Sequence, residues 1–150
     1  EGPEDMAHVR ALFTEYQQWL DVDLCFQDFD AELKNLPGMY APPGGQLLLA
    51  RDGGNVIGGV GMRPLDADLC EMKRLYIRPS WRGWGWGRQL TAMIIDAARA
   101  GRYAAMCLDT LMRLEEAVSL YRSMGFVDVP AYYENPEEDV IYMRLDFPAH

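Results

Sequence analysis

The stretch EMKRLYIRPSWRGWGWGRQL, residues 71–90, joins a strand pattern to a helix pattern through a glycine-rich turn. The alternation from Leu69 to Arg78 predicts a strand, and the apolar stripe from Gly85 to about Ala100 predicts a helix. The first turn of a helix has unpaired backbone N–H groups and partial positive charge. Glycines at that turn let a phosphate approach the amides closely, so the segment predicts an anion site.

The spacing of the glycines excludes two common nucleotide-binding signatures. GxGxxG would need glycine three residues after Gly85 or Gly87, where Arg88 and Leu90 stand, and GxxxxGK[ST] is absent. Arg82 and Arg88 bring positive charge to the turn. A tight strand-to-helix connection without a ligand is the structural alternative.

The glycine-rich turn resembles the acetyl-CoA pattern Q/R-x-x-G-x-G/A of the GCN5-related N-acetyltransferases (GNAT family), carried by Arg82, Gly85 and Gly87. A later block is similar to the family's second motif, which ends in L-Y-x-x-x-G-F. It consists of Leu108-Asp109-Thr110, Ala117, Leu120-Tyr121 and Gly125-Phe126. The resemblance covers about Gln46 to Leu145.

The resemblance implies an α+β GNAT fold, in which helices flank a central twisted mixed sheet and two splayed parallel strands form the acetyl-CoA cleft. It implies direct transfer of an acetyl group from acetyl-CoA to a primary amine of a small molecule or peptide, with no metal. Pantetheine is expected between the splayed strands and the diphosphate on the amides of residues 82–88. The cofactor residues are then Leu75, Tyr76, Ile77, Arg82, Gly83, Trp84, Gly85, Trp86, Gly87 and Arg88.

Two positions depart from the family pattern. Many members have an asparagine three residues before the alanine that matches Ala117, where it bonds the cofactor arm, and here that residue is Leu114. The strand that usually precedes the first helix is expected to be missing here, either because residues were cut away or because this domain does without it.

The remaining periodicities predict one domain over residues 1–150, since no repeat or long linker interrupts the chain. Helices are expected at about 3–20, 26–36, 85–100 and 113–124. Strands are expected at 46–51, 56–62, 69–78, 103–109, 126–129 and 140–147.

The composition narrows the classes of function and partner that the chain can have. Hydrophobic residues make up 49% of the chain and charged residues 25%, as in an ordinary soluble domain, and no apolar run is long enough to span a bilayer. The net charge of −9 disfavours nucleic-acid or membrane partners. Three cysteines without paired spacing favour a reducing cytoplasm. The sequence leaves open whether the chain forms a homodimer.

Glu71 is the candidate general base. An alkylammonium with a pKa near 10.4 is neutral only about once in 2,500 molecules at pH 7, so transfer to an amine benefits from a base. Glu71 starts the strand that is expected to splay, on the same side as Lys73, and an ordinary surface pair with Lys73 is the alternative. Asp109 and Glu134 are the substitutes.

Tyr121 is the candidate acid because its helix follows the second strand of the cleft. Full proton transfer from a phenol to a thiolate would be uphill by roughly 2 kcal/mol, so hydrogen-bond donation is expected. A core tyrosine is the alternative. The oxyanion is expected to meet a backbone N–H of Leu75 to Ile77, where a bulge would leave ladder groups unpaired.

The sequence indicates the acceptor pocket least clearly. Candidates are the turn Tyr132-Tyr133-Glu134-Asn135-Pro136 and a group around the first helices, namely Trp19, Asp21, Asp23 and Phe26. Trp86 is expected in the core and Trp84 exposed beside the cofactor, with simple packing as the alternative for both. Besides the acetyltransferase, two functions stay open: a catalytically silent acyl-CoA-binding module and an unrelated anion-binding interaction domain.

Overall fold

A computed structural model describes residues 3–20, 32, 34, 36–41, 44–131 and 140–148 of the chain. The elements in chain order are α1 (Pro3–Leu20), β1 (Gln46–Asp52), β2 (Asn55–Pro64), β3 (Leu69–Ile77), α2 (Trp86–Ala100), β4 (Ala105–Leu111), α3 (Glu115–Ser123), β5 (Val127–Val129) and β6 (Val140–Asp146). Short 3₁₀ turns occupy Gly38–Tyr40 and Pro79–Trp81.

The described strands form a six-stranded mixed sheet in the order β1-β2-β3-β4-β6-β5. Neighbouring strands are antiparallel except β3 and β4, which are parallel and connected through α2. The predicted α+β class with a central mixed sheet is confirmed.

Helix α2 covers one face of this sheet with the apolar stripe that the sequence predicts. Leu90, Ile94 and Ala98 are buried in the main core, which also contains Cys70, Met72, Met106, Leu108 and Met143 from the strands. Gly101 follows the last helical residue, and its N–H bonds to the carbonyl of Ala97.

Helix α1 covers the opposite face. Val9, Leu12 and Phe13 are buried there, and Leu12 packs with Val56 and Tyr76 of the sheet. Arg78, just beyond β3, donates two hydrogen bonds to Glu15 of α1, at 3.1 and 2.7 Å. The helix is therefore tied to the same end of β3 from which the glycine-rich turn begins.

The parallel strands β3 and β4 pair only at their starts. The paired residues are Leu69 with Ala105, Cys70 with Met106 and Glu71 with Cys107, after which the two strands diverge. The predicted splay is thus present.

On its other edge β3 contains a bulge. Gly61 of β2 pairs with Lys73 and Gly59 pairs with Tyr76, so Arg74 and Leu75 together oppose one residue of β2. Arg74 has a φ of 62°, in the left-handed region that non-glycine residues seldom adopt.

The sequence placed most elements within two residues of their observed limits. The strand expected at 103–109 runs from Ala105 to Leu111, and the helix expected at 113–124 runs from Glu115 to Ser123. The expected helix at 26–36 lies mostly outside the described residues, as do Asp21, Asp23, Phe26 and the turn at 132–136. None of the described helices is both long and apolar enough to cross a membrane.

Candidate active site

A cavity of about 550 Å³ opens at the end of β3, against the starts of α2 and α3. Its lining joins the two sequence blocks that resemble GNAT motifs. The residues are Trp19, Leu75, Tyr76, Ile77, Trp81, Arg82, Gly83, Gly85, Trp86, Gly87, Arg88, Arg113, Leu114, Glu115, Glu116, Ala117 and Leu120. Nine of the ten predicted cofactor residues are therefore brought together in one lining, and Trp84 is the exception.

The glycine-rich turn presents bare backbone to this cavity. Gly83 and Gly85 have φ values of 84° and 85°, which favour glycine, and a Cβ atom built on either would meet nothing within 4 Å. Helix α2 begins at Trp86, directly after Gly85. Helix geometry leaves the N–H groups of the first turn without helical partners, so they can serve as donors to an anion.

The side chain of Arg82 is held in place by several contacts, unlike a charged side chain on an open loop. Its guanidinium lies over the Trp19 ring, 4.6 Å from the centroid, and 5.4 Å from that of Tyr76, while Nε donates to the carbonyl of Ile77 at 2.8 Å. The Nη2 atom is buried with no hydrogen-bond partner in the part of the chain that the structure describes. A buried charged donor that lacks an acceptor at a cavity wall suits a bound anion.

The other side chains of the turn have different surroundings. Trp84 is 79% exposed and does not line the cavity, although the sequence places it beside the cofactor, whereas Trp86 is partly buried against the main core. Arg88 is exposed and donates a hydrogen bond to the Ser123 hydroxyl at 2.6 Å, which joins α2 to α3.

Glu71 lies on the last paired rung before the strands diverge, and it is 0% exposed. Arg63 of β2 donates a hydrogen bond from Nε to Glu71 Oε1 at 2.7 Å, and Lys73 Nζ lies 3.8 Å from the same oxygen. The alternative of an exposed surface pair with Lys73 is wrong, because both side chains are buried. Burial lowers the pKa of Lys73 to about 8, with Arg74 adding to the decrease and Glu71 opposing it.

A second buried ion pair lies beside the first on the α1 face. Arg74 contacts Glu32 through Nε at 3.2 Å and Nη2 at 3.1 Å, with both side chains almost fully buried. The Tyr40 hydroxyl donates to the same carboxylate at 3.0 Å. A paired carboxylate therefore holds the arginine whose backbone makes the bulge.

Tyr121 is buried in the core, and its ring lies 5.8 Å from that of Phe126. It does not belong to the cavity lining. Burial raises the pKa of its phenol well above the usual range, and Tyr16 and Asp109 raise it further. Because proton transfer from such a phenol is disfavoured, any role toward a thiolate is restricted to hydrogen-bond donation.

Sequence reasoning missed four lining residues and assigned a fifth elsewhere. The four that belong to no motif identified in the sequence are Trp81, Arg113, Glu115 and Glu116. Trp19, expected in an acceptor pocket, lines this cavity and stacks with Arg82. No spacing in the sequence connects residue 19 with residue 82. Within the described ranges, no cluster of three His, Cys, Asp or Glu side chains could hold a metal ion.

Comparison with known proteins agrees with this geometry. Residues 43–128 match the family model described as "Acetyltransferase (GNAT) domain". The chain is 44% identical over 146 residues to an uncharacterized N-acetyltransferase of Schizosaccharomyces pombe, with 96% of this chain and 90% of that protein covered.

Two solved structures have a similar fold. An acetyltransferase from Streptococcus agalactiae has a TM-score of 0.80 at 22% identity, and the match covers 98% of this chain and 94% of that one. The putative acetyltransferase yncA of Salmonella typhimurium, solved with acetyl-CoA, has a TM-score of 0.71 at 21% identity and covers 100% and 92% of the two chains.

The diverging parallel strands and the glycine-rich turn beside them are the features of an acyltransferase. The chain belongs to the GNAT acetyltransferase family.

The cavity fits a coenzyme A thioester in two respects. The bare amides of the glycine turn and the orphaned Arg82 Nη2 are donors for a diphosphate. An apolar wall that suits the thin pantetheine arm is formed by Leu75, Leu114, Ala117 and Leu120. Leu114, which stands where many members have an asparagine, is the N-cap residue of α3 and makes no side-chain hydrogen bond there.

Proposed function

We propose that this chain is an acetyl-CoA-dependent N-acetyltransferase that moves an acetyl group directly to a primary amine of a small molecule or peptide. The observation that carries the proposal is the position of Glu71. This carboxylate lies on the last rung where β3 and β4 pair, three residues before the bulge, on the strand whose later residues 75–77 line the cavity that fits a coenzyme A thioester.

Acetyl-CoA supplies an activated acyl group and a thiolate leaving group. The amides at residues 83–88, together with Arg82, hold the diphosphate and orient the thioester, so that the reaction becomes effectively unimolecular. The proposed cofactor contacts are those expected from the sequence: Leu75, Tyr76, Ile77, Arg82, Gly83, Trp84, Gly85, Trp86, Gly87 and Arg88.

In this proposal Glu71 accepts the proton that the acceptor ammonium must lose. Arg63 holds one carboxylate oxygen at 2.7 Å, which fixes the direction in which the other oxygen is presented. A backbone N–H of one of residues 75–77, at or just after the bulge, donates to the negative charge that develops on the acyl oxygen. Tyr121 donates a hydrogen bond toward the sulfur rather than a proton, in keeping with its raised pKa.

The acceptor is proposed to enter from the α1 face, where the ion pairs of Glu71 and Arg74 lie. The net charge of −9 supports amine substrates over nucleic acids or anionic membranes as partners. A cytoplasmic location is proposed on the cysteine pattern, because the described Cys70 and Cys107 are unpaired.

The test is thiol release from acetyl-CoA over a panel of amino acids, polyamines, aminoglycosides and peptides with unblocked N-termini. At least one amine is expected to accelerate release. A thermal shift with coenzyme A but no acceleration by any amine would instead support the catalytically silent acyl-CoA-binding module.

Gly85→Glu supplies the site control, because it places a carboxylate where the diphosphate belongs. The affinity for coenzyme A is expected to fall at least about 100-fold, the loss of roughly 3 kcal/mol that an uncompensated charge at such a site produces. Gly85→Asn is the matched variant, since asparagine tolerates a positive φ but adds no charge. Equal affinity of the two variants would contradict the anion site.

A further inference from the structure

Helix α1 contributes one described residue, Trp19, to the lining of the cavity that fits coenzyme A. The rest of the lining comes from the end of β3, the glycine-rich turn and the region where α3 begins. Trp19 lies one residue before the end of α1, and its side chain is 41% exposed. A tryptophan at a cavity wall can act on a ligand or on a neighbouring side chain through its ring face.

Three side chains meet around this ring. The Arg82 guanidinium lies 4.6 Å from the centroid of the Trp19 ring and 5.4 Å from that of the Tyr76 ring, and the two ring centroids are 5.8 Å apart. Both distances from the guanidinium are within the roughly 6 Å at which an aromatic face attracts a cation. Arg82 is therefore stacked by one residue of α1 and one of β3, and not held by its own loop alone.

The hydrogen bond that Arg82 makes does not by itself fix the direction of its guanidinium. Nε donates to the carbonyl of Ile77 at 2.8 Å, and a single bond of this kind leaves the plane of the group free to turn about it. A ring face against a flat, delocalised guanidinium removes that freedom. Once the plane is fixed, so is the direction of Nη2, which is buried without a hydrogen-bond partner among the described residues.

Arg88, on the other side of the same turn, shows the contrast. Its side chain is exposed, and it donates a hydrogen bond to the Ser123 hydroxyl at 2.6 Å, which links α2 with α3. Arg82 instead has a buried donor at the cavity wall, whose direction depends on the rings beside it. The orientation of Arg82 is thus the property of the turn that a distant residue can control.

We propose that Trp19 is a positioning residue for coenzyme A: its ring holds the Arg82 guanidinium in the plane in which Nη2 donates to the diphosphate. This inference rests on the coenzyme A binding in the proposed function, but not on the acetyl transfer. Trp19 acts through Arg82 and makes no contact with the acetyl group. The cofactor site then depends on a helix that contains no part of the glycine-rich motif.

A double-mutant cycle between Trp19 and Arg82 tests the proposal, with coenzyme A affinity measured by calorimetry. Arg82→Gln introduces the other residue that the motif allows, which has no cation for a ring to stack. Trp19→Leu should lower the affinity about 5- to 30-fold, the range for one partly desolvated cation–π contact. In the Arg82→Gln background the same substitution should change the affinity by less than about twofold. Equal losses in the two backgrounds would mean that Trp19 binds the ligand directly, and would overturn the proposal.

A conservative variant and the kinetic constants give two further readouts. Trp19→Phe keeps a ring face and should lose less affinity than Trp19→Leu. Trp19→Leu should raise the KM for acetyl-CoA by the factor that calorimetry gives and leave kcat unchanged, because a diphosphate contact is equally strong in the ground state and the transition state. A decrease in kcat at saturating acetyl-CoA would place Trp19 in the acceptor site instead and contradict the positioning role.

Glu15→Gln is the matched control for the docking of α1. Glu15 lies one turn before Trp19, accepts two hydrogen bonds from Arg78 and does not line the cavity. The variant weakens the same end of the helix without touching the stack, so the melting temperature should fall while coenzyme A affinity stays the same. If Glu15→Gln and Trp19→Leu lower the affinity equally, any loosening of α1 has this effect, and the positioning role is wrong.

The outcome is separable from that of the proposed function. If amines accelerate thiol release while the losses at Trp19 and Arg82 are additive, the positioning proposal is wrong and the acetyltransferase stands. If no amine accelerates release but the two residues are coupled in coenzyme A binding, the acetyltransferase fails and the positioning role stands. If coenzyme A does not bind, both fail.

Discussion

The two faces of the sheet at the strand divergence are built in different ways. Toward α2 and α3, the cavity is made of backbone amides, glycines and an apolar wall, and one short segment supplies most of it. Toward α1, two buried ion pairs are assembled from residues on several elements, with Glu32 and Arg74 separated by 42 positions. The first face suits a ligand common to a whole family, and the second can differ from one member to the next.

This difference decides what each face tolerates. Backbone donors cannot be removed by substitution, so the cofactor side is sensitive mainly to side chains that block it or reverse its charge. Buried charges depend on their partners, so the α1 side is sensitive to the loss of any single partner. The following predictions separate the two sides.

Glu71→Gln should produce the largest change. Removing a general base costs about 10²- to 10⁴-fold in kcat, and the decline in rate toward acidic pH should flatten because the glutamine does not titrate. Coenzyme A affinity, measured by calorimetry, should stay the same. If both the rate and the pH profile are retained, the amine loses its proton to water, Asp109 or Glu134, and Glu71 serves to hold Arg63 and Lys73.

Glu32→Ala should cost about 3 to 5 kcal/mol in the free energy of unfolding, because Arg74 loses its carboxylate partner in a buried site. Urea denaturation measures this loss. Asp128→Ala is the control, since the Arg122–Asp128 pair has the same 3.1 Å separation as Arg74–Glu32 but is more than half exposed. That variant should lose about 1 kcal/mol or less. Equal losses would contradict the distinction between buried and exposed pairs.

Tyr121→Phe should have the smallest effect of the three, a decrease in kcat of about 10- to 100-fold with little change in the KM for acetyl-CoA. The reason is that a hydrogen bond to the sulfur strengthens only as negative charge develops there. Tyr103→Phe is a matched control, because its buried phenol donates to the Gly44 carbonyl far from the cavity. A wild-type rate for Tyr121→Phe would restrict this tyrosine to the core.

The sequence identified most residues of the cavity lining because the information for this side of the sheet is local. Within twenty residues a strand is followed by a turn that needs positive φ at Gly83 and Gly85, and then by the start of a helix. Periodicity and glycine placement are therefore enough to predict these three elements. The splay followed from the family resemblance, and the register of β3 with β4 agrees with it.

The α1 side could not be predicted in the same way. Alternation places Glu71 and Lys73 on one face of a strand, but it does not say what covers that face, so it does not distinguish a catalytic base from a surface pair. The contacts of Arg74 with Glu32 and of Arg82 with Trp19 join residues that are far apart in sequence. Such contacts depend on how the segments before β1 pack against the sheet, and a single sequence contains no signal for that packing.

The bulge at Arg74 makes the number of residues in β3 as important as their identity. Ahead of the bulge the even-numbered Cys70 and Met72 belong to the core under α2, whereas beyond it the odd-numbered Leu75 and Ile77 pack there and Tyr76 turns to α1. Deleting one residue at this point would exchange the two faces of one half of the strand, burying charge in the apolar core. Related chains should therefore vary in amino acid at position 74 far more readily than they gain or lose a residue beside it.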